Sequence, residues 1–229
     1  MVLGVSESGE HLVQVYAITG RSQNSQNRVF GVEGDRVFTE AADPAKVKDP
    51  SLIIYNAMNY RKNNLRHYHI VSNGDQTDTA ATYFPTSIGS LAEAISNRTF
   101  EPDAPNFTPR ITGLCRLHDI GTYQCEIVVI KKAPESDGRV ISSFEYENES
   151  IPPGFGYFVS TYTGDGNPLP SFVGEPLLVP IKGSSPEDVA QSFWDILDQA
   201  NRVCLVVKFV NIMDRSSKIH TINRFTKVV

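Results

Sequence analysis

Short segments rich in β-branched and aromatic residues recur along the chain, and turn-forming residues separate them. Such segments are typical of β-strands, because branched and aromatic side chains fit the pleated, half-buried surface of a sheet. Several are apolar at successive positions, which favours burial on both faces. We predict strands at 11–20, 51–58, 65–72, 111–117, 122–132, 156–164 and 202–210.

A helix is predicted for residues 184–200. Ser185 can cap its first turn, Pro186 stands at the first helical position, and Asp188 completes the capping pattern. Apolar residues then follow at helical spacing, which gives the helix one face to bury. The residues of this apolar stripe are Val189, Phe193, Ile196 and Leu197.

A second helix is predicted for residues 86–97, where Ile88, Leu91 and Ile95 recur at helical spacing. Many strands with few helices indicate an α+β protein in which two mainly antiparallel sheets pack face to face, with the helices outside. A chain of 229 residues can bury one sizeable core. We therefore expect a single domain over residues 1–229.

The composition is that of a soluble globular protein. Hydrophobic residues make up 40% of the chain, and the net charge of −5 argues against a general nucleic-acid surface or an anionic-membrane surface. No apolar run reaches the roughly 18 residues that a membrane span needs. The first residues lack the basic and long apolar regions of a signal peptide, so the cytoplasm is the expected location.

The cysteines and histidines give no metal-site pattern. Cys115, Cys125 and Cys204 form no CxxC pair, and we predict reduced thiols, with the first two facing each other across a hairpin. His67 and His69 alternate on one strand face, but a third ligand is not identifiable. Dinucleotide, Walker and nucleophile-elbow motifs are also absent from the sequence. We expect no metal and no cofactor.

Two polar segments follow apolar runs and are candidates for a binding site. In GRSQNSQNRVF, residues 20–30, Arg21 and Arg28 offer guanidinium groups that suit a phosphate or a developing oxyanion; a solvated loop is the alternative. In IIYNAMNY, Tyr55 and Asn56 end an apolar run, where they either point into a cleft or pack on the core.

Two further segments carry small polar or charged residues. VSNGDQTDTA, residues 71–80, either forms an ordinary turn or holds a polar ligand. SNRTFEPDAPNFTPRI contributes Glu101 and Arg110 from a proline-punctuated loop. A buried carboxylate beside arginines can transfer protons, although a surface ion pair is the commoner outcome.

Taken together, these segments resemble the archaeal-type IMP cyclohydrolases. The resemblance spans most of the chain, in the family's order and with compatible spacing. It rests on RSQNSQNR at 21–28, YN at 55–56, VSNGDQTDT at 71–79, FEPD at 100–103, TPRI at 108–111 and STY at 160–162. It implies the fold of the N-terminal-nucleophile hydrolases, a four-layer α-β-β-α sandwich. Val2 follows Met1, so the nucleophile of those hydrolases is not expected.

The resemblance implies that the protein closes 5-formamidoimidazole-4-carboxamide ribotide to IMP with loss of water. The carboxamide nitrogen attacks the formyl carbon, and negative charge builds on the formyl oxygen. Holding both ring substituents in the attacking conformation and aiming donors at that oxygen would accelerate this step. By resemblance, Arg28 and Tyr55 serve the oxyanion or its orientation, and Glu101 transfers the proton.

Substrate binding is also assigned by resemblance. The 73–79 loop would cradle the ribotide through its backbone N–H groups, the Thr77 and Thr79 hydroxyls and the Asn73 amide, while Arg21 and Arg110 would contact phosphate or base. The predicted substrate-binding residues are Arg21, Asn27, Asn56, Asn73, Gly74, Asp75, Thr77, Asp78, Thr79 and Arg110.

Two other functions fit the same residues. One is a non-catalytic purine-nucleotide-binding protein, and the other is a hydrolase of a related cyclic amide, which would need an activated water. The expected partner is a small purine ribotide, with no nucleic acid and no membrane. A homo-oligomer stays open.

Overall fold

The computed structural model describes residues 1–47, 49–50, 53–118 and 121–227. The strands in these ranges are β1 (Val2–Val5), β2 (His11–Thr19), β3 (Arg28–Glu33), β4 (Arg36–Ala41), β5 (Asn56–Lys62), β6 (Arg66–Ser72), β7 (Arg110–His118), β8 (Tyr123–Lys132), β9 (Arg139–Glu147), β10 (Phe155–Phe158), β11 (Leu177–Pro180), β12 (Arg202–Asn211) and β13 (Ser217–Asn223). The α-helices are α1 (Gln23–Gln26), α2 (Gln76–Tyr83), α3 (Leu91–Ala94) and α4 (Pro186–Ile196), and short 3₁₀ helices cover Pro44–Lys46 and Asn148–Ser150.

The strands form two antiparallel sheets, as predicted for an α+β protein. Sheet A has six strands in the order β11-β10-β1-β2-β12-β13, and sheet B has seven in the order β3 to β9. Each strand of sheet B therefore pairs with its neighbours in the sequence, whereas sheet A combines strands from both ends of the chain.

Strand β2 illustrates how both faces of sheet A are buried. Side chains alternate between the two faces of a strand. Leu12 and Tyr16 belong to a cluster that also contains residues of sheet B, whereas Val13 and Val15 belong to a cluster with α4. The sheets therefore pack on each other, and sheet A also packs on α4.

The helices cover outward-facing strand surfaces. Helix α4 contacts β12 and β13, and its Val189 is fully buried. Helix α2 contacts β5 and β6, where the Phe84 ring stacks on Tyr68 with centroids 4.7 Å apart. None of the described helices is long and apolar enough to span a bilayer.

Most predicted strands agree with the structure, but the prediction for 51–58 is wrong over most of its length. Ser51 and Leu52 lie outside the described residues. The backbone N–H groups of Ile53 and Ile54 donate to the Pro50 carbonyl, which makes a turn, and β5 begins only at Asn56. The predicted strand at 156–164 likewise ends at Phe158.

Both predicted helices are shorter than expected. In 86–97 the helix covers only Leu91–Ala94, because Ser90 caps it through the Glu93 backbone N–H, and Ile88 is exposed. In 184–200 the Ser185 cap and Pro186 at the first position are confirmed, and the helix ends at Ile196.

The buried faces of these helices also differ from prediction. Ile196 was placed in the apolar stripe of α4 but is 77% exposed, and Trp194 is buried instead. On the outer face of sheet B, Leu91 and Ile95 are fully buried as expected.

The prediction that two reduced cysteines face each other across the β7–β8 hairpin is confirmed. Cys115 and Cys125 lie opposite each other, with Sγ atoms 3.4 Å apart, and both thiols are free and buried. Between these two strands, Asp119 and Ile120 lie outside the described residues.

Candidate functional site

The predicted catalytic segments lie at the same end of the neighbouring strands of sheet B. In an antiparallel meander, the start of one strand lies beside the end of the previous strand. Arg28 begins β3, Tyr55 directly precedes β5, Asn73 follows β6, and Arg110 begins β7. Their alignment at the same end of neighbouring strands brings these residues into one region.

Arg110 is buried and is the centre of a partly buried polar network. Its Nη1 lies 2.9 Å from Glu101 Oε1 and 2.8 Å from Asp75 Oδ1, and it also donates to Gln76 Oε1 at 2.6 Å. Its Nε donates to the Thr99 carbonyl at 2.7 Å. With four partners, the Arg110 side chain is held in one orientation.

The Glu101 carboxyl has an environment suited to proton transfer. Burial raises its pKa above the ordinary value, the Arg110 guanidinium opposes that rise, and the carboxylates of Asp75 and Asp103 add to it. A carboxyl with a raised pKa holds a proton more readily than an exposed carboxyl does.

Gly74 allows the backbone to lie against this network. A Cβ atom at this position would lie 2.7 Å from Arg110 Nη1 and 3.0 Å from Glu101 Oε1. A side chain here would therefore displace the Arg110–Glu101 pair.

A pair of phenols crosses from one sheet to the other beside Arg28. The hydroxyls of Tyr55 and Tyr16 lie 2.8 Å apart, and both residues are buried. Burial raises the pKa of Tyr55, and the positive charge of Arg28 opposes that rise. Arg28 is itself buried, and its Nε donates to the Ser25 carbonyl at 2.8 Å.

The three predicted catalytic residues share one electrostatic environment. The charges of Arg28 and Glu101 both act on the pKa of the Tyr55 phenol, in opposite directions. A cation, a phenol and a carboxyl whose positions in the sequence span more than 70 residues therefore influence one another.

Three residues without a predicted role extend this cluster. Thr108 donates from its backbone to Asp103 Oδ1 at 2.7 Å, and its hydroxyl contacts both Asp103 and the Tyr162 hydroxyl. Burial raises the pKa of Tyr162, the Thr108 hydrogen bond opposes that rise, and the charges of Asp103 and Glu101 add to it. The STY and FEPD motifs contain Tyr162 and Asp103, but neither motif indicated this contact.

Tyr16 and Arg98 were also missed. Tyr16 lies within an apolar strand and gives no polar signal in the sequence. Arg98 donates to Asp75 Oδ2 at 2.8 Å and to Thr79 Oγ1 at 2.8 Å, so it binds two predicted substrate-binding residues.

Several predicted binding residues already use their polar groups within the protein. Asn73 donates to the Pro109 carbonyl at 2.9 Å and accepts from the Ile111 backbone at 2.8 Å. Asn27 exchanges two 2.8 Å hydrogen bonds with the Asp43 backbone. These bonds hold the ends of neighbouring strands together.

The prediction of a loop over 73–79 is wrong from Gln76 onward, because α2 begins there. Thr77 is fully buried, and its hydroxyl bonds to Ser72 at 2.5 Å and to the Gly74 carbonyl at 3.2 Å. The backbone N–H of Thr77 also donates to Gly74. We therefore revise the role of Thr77 from substrate contact to support of the turn.

Two other predicted binding residues, Asn56 and Arg21, are paired with residues outside the Glu101 network. Asn56 Nδ2 donates to Asp78 Oδ1 at 2.9 Å, which directs the Asn56 side chain toward α2. Arg21 forms an ion pair with Asp165, and both side chains are largely exposed. An exposed pair of this kind can exchange partners readily.

Within the described ranges, no group of three His, Cys, Asp or Glu side chains is arranged to hold a metal ion. No curated protein matches the chain. A family model, described as IMP cyclohydrolase-like protein, matches residues 1–215. The chain therefore belongs to the IMP cyclohydrolase-like family.

Proposed function

We propose that this protein is an IMP cyclohydrolase, which closes 5-formamidoimidazole-4-carboxamide ribotide to IMP and water. The observation that carries the proposal is the position of Glu101. Its carboxyl is partly buried and paired with Arg110, and its charge acts on the Tyr55 phenol. Family membership supports this substrate class, and the cluster contains groups of the kind that the ring closure needs.

The proposed first step joins the carboxamide nitrogen to the formyl carbon. The Glu101 carboxylate takes the proton from that nitrogen, while the Arg28 guanidinium and the Tyr55 hydroxyl donate to the oxygen on which negative charge develops. Donors held in place before the reaction stabilise such charge without reorganising. The Tyr16 hydroxyl, 2.8 Å from that of Tyr55, orients the donor.

The second step breaks the bond between the former formyl carbon and its oxygen. Glu101 returns its proton to this oxygen, which leaves as water after taking a second proton from the formamido nitrogen. The ring then contains the new carbon–nitrogen double bond of IMP. One carboxyl with a raised pKa can thus serve both steps.

We further propose that Arg21 binds the phosphate, because its exposed guanidinium can exchange Asp165 for an anionic ligand. Arg110 has its donors engaged with Asp75, Gln76, Glu101 and the Thr99 carbonyl, so we assign it to holding Glu101 instead of binding phosphate.

We also infer that the two sheets and the outer helices form the four-layer sandwich of N-terminal-nucleophile hydrolases. The clusters between the sheets, under α4 and under α2 and α3 support this arrangement. A cytoplasmic location and a homo-oligomer stay predictions.

The test is to incubate the purified protein with the formamido ribotide and follow IMP by absorbance, with added metal and with chelator. Glu101→Gln and Tyr55→Phe should each lower kcat by about 100- to 1000-fold. The dissociation constant for IMP should change little, because these groups act on charge that appears only in the transition state. Matched controls are Glu135→Gln and Tyr146→Phe, which alter residues outside the cluster and should keep parental rates.

The outcomes separate the candidate functions. Binding of IMP without turnover by the parental protein would indicate a nucleotide-binding protein. Consumption of a related cyclic amide, with no IMP formed from the ribotide, would indicate the hydrolase. Turnover by Glu101→Gln at the parental rate would remove Glu101 from the mechanism.

A further inference from the structure

Arg98 makes a three-point contact with the start of α2. Its Nε and Nη2 lie 2.8 Å and 2.5 Å from Thr79 Oγ1, and its Nη1 lies 2.8 Å from Asp75 Oδ2. The Arg98 side chain is 28% exposed and the Asp75 side chain is 52% exposed, so water reaches part of this contact. A guanidinium held by three of its nitrogens has little freedom to leave.

Asp75 lies between two arginines. Its Oδ2 accepts from Arg98, and its Oδ1 lies 2.8 Å from Arg110 Nη1. The same Arg110 nitrogen lies 2.9 Å from Glu101 Oε1. The charges of Arg98, Asp75, Arg110 and Glu101 therefore alternate along one connected chain of ion pairs.

We propose that Arg98 is a positioning residue for Glu101 and acts through Asp75 and Arg110. By occupying one oxygen of Asp75, Arg98 limits how strongly that carboxylate draws Arg110 away from Glu101. Arg98 thereby sets both the orientation and the charge balance of the proton-transfer group. This inference rests on the proposed function of Glu101.

The electrostatic consequence has a definite sign. Burial is the largest influence on the Glu101 pKa and raises it. Of the charged groups that face Glu101, Arg110 and Arg98 lower this pKa, whereas Asp75 and Asp103 raise it. Loss of the Arg98 charge should therefore raise the Glu101 pKa, and loss of the Asp75 charge should lower it. A purely structural contact would not produce shifts of opposite sign.

The experiment compares Arg98→Gln and Asp75→Asn with the control Arg66→Gln. Arg66 begins β6, whereas the candidate site lies beyond the other end of that strand, after Ser72. Because Glu101 must be ionised to take the first proton, activity falls as pH drops through its pKa. The acid limb of the kcat/KM profile should move to higher pH in Arg98→Gln and to lower pH in Asp75→Asn. Arg66→Gln should leave the limb in place.

A second measurement does not depend on activity. Each protein is labelled with glutamate carrying ¹³C at the side-chain carboxyl and titrated by NMR, and Glu101→Gln identifies the Glu101 signal. The same opposite shifts are expected in the titration of that signal. Arg98→Lys keeps the positive charge but loses the planar fork, so it should restore part of the parental pKa.

The results distinguish this inference from the proposed function. An unchanged Glu101 titration in folded Arg98→Gln overturns the inference, even where activity is lost. If Arg98→Gln does not fold, Asp75→Asn and Arg98→Lys decide by the same NMR titration. If the parental protein forms no IMP, the proposed function fails, and the titration alone still tests whether Arg98 acts on Glu101.

Discussion

Asp35→Asn should destabilise the protein by separating a charge pair that links the two sheets. Lys208 lies on β12 of sheet A and is fully buried, and its Nζ is 2.6 Å from Asp35 Oδ1 in the turn between β3 and β4. Ser217 donates to the same oxygen at 2.5 Å. The substitution therefore leaves a buried ammonium without its counter-ion.

The magnitude follows from the distance and the burial. At an effective dielectric constant of about 20, two charges 2.6 Å apart attract by about 6 kcal/mol before the cost of desolvation. Removing one partner of a buried pair typically costs about 3–5 kcal/mol. The Asp35 side chain is 36% exposed, so solvent screens part of the attraction and we expect about 3 kcal/mol.

The loss should depend on pH. Burial lowers the pKa of Lys208 below its ordinary 10.5, and the Asp35 carboxylate opposes that effect. In Asp35→Asn the pKa of Lys208 in the folded state falls further. Between this lowered pKa and 10.5, Lys208 is neutral in the folded state but protonated in the unfolded state, so the unfolded state binds more protons. Stability then rises with pH up to about 10.5, and the deficit relative to the parental protein shrinks.

Urea unfolding, followed by the fluorescence of the single tryptophan, Trp194, measures this prediction. Glu33→Gln is the control, because its pair with Arg36 is exposed and should contribute less than about 1 kcal/mol. Combining Asp35→Asn with Lys208→Met should recover most of the loss. A loss below about 1 kcal/mol in Asp35→Asn, or no recovery in the double variant, would refute the reasoning.

Three further predictions concern single elements. Ser185→Ala removes the cap of α4 and should cost about 1 kcal/mol in the same urea assay. Phe84→Ala removes a fully buried ring from the face under α2 and should cost about 3–5 kcal/mol. Thr77→Val should cost about 1–3 kcal/mol through the lost turn hydrogen bonds, while KM for the ribotide changes little; a large KM change at parental stability would restore Thr77 as a substrate contact.

The strands that were predicted correctly from sequence lie in the middle of the sheets. Segments such as 122–132 and 202–210 carry long apolar runs because neighbouring strands and layers cover both faces. Edge strands lack that signal. β13 is partly exposed along its length and β9 is exposed or partly exposed, so polar residues interrupt their patterns and neither was predicted.

Helix α2 shows a second limit of predicting structure from local sequence. The stretch before Ala80 consists of small polar residues, which are typical of turns. It becomes helical because Ala80, Ala81 and Phe84 pack on sheet B, and such tertiary packing outweighs local propensity. A pattern confined to 71–80 could not reveal that contact.

Only those residues of the candidate site that belong to recognisable sequence motifs could be predicted. Arg28, Tyr55 and Glu101 were selected by resemblance, and the antiparallel order of sheet B explains why Arg28 and Tyr55 lie at one edge. The Tyr16 contact depends on how the two sheets are stacked. The Arg98 contact depends on where α2 begins. Neither arrangement is encoded in a local pattern.

The division of the site between strand ends and connecting loops has an evolutionary consequence. Arg28, Tyr55 and Arg110 are fixed by the sheet, whereas Glu101 and Tyr162 come from loops outside it. Loops tolerate insertion and substitution far better than buried strands. Changes in those loops can therefore alter the surroundings of Glu101 and Tyr162, while the sheets keep Arg28, Tyr55 and Arg110 in place.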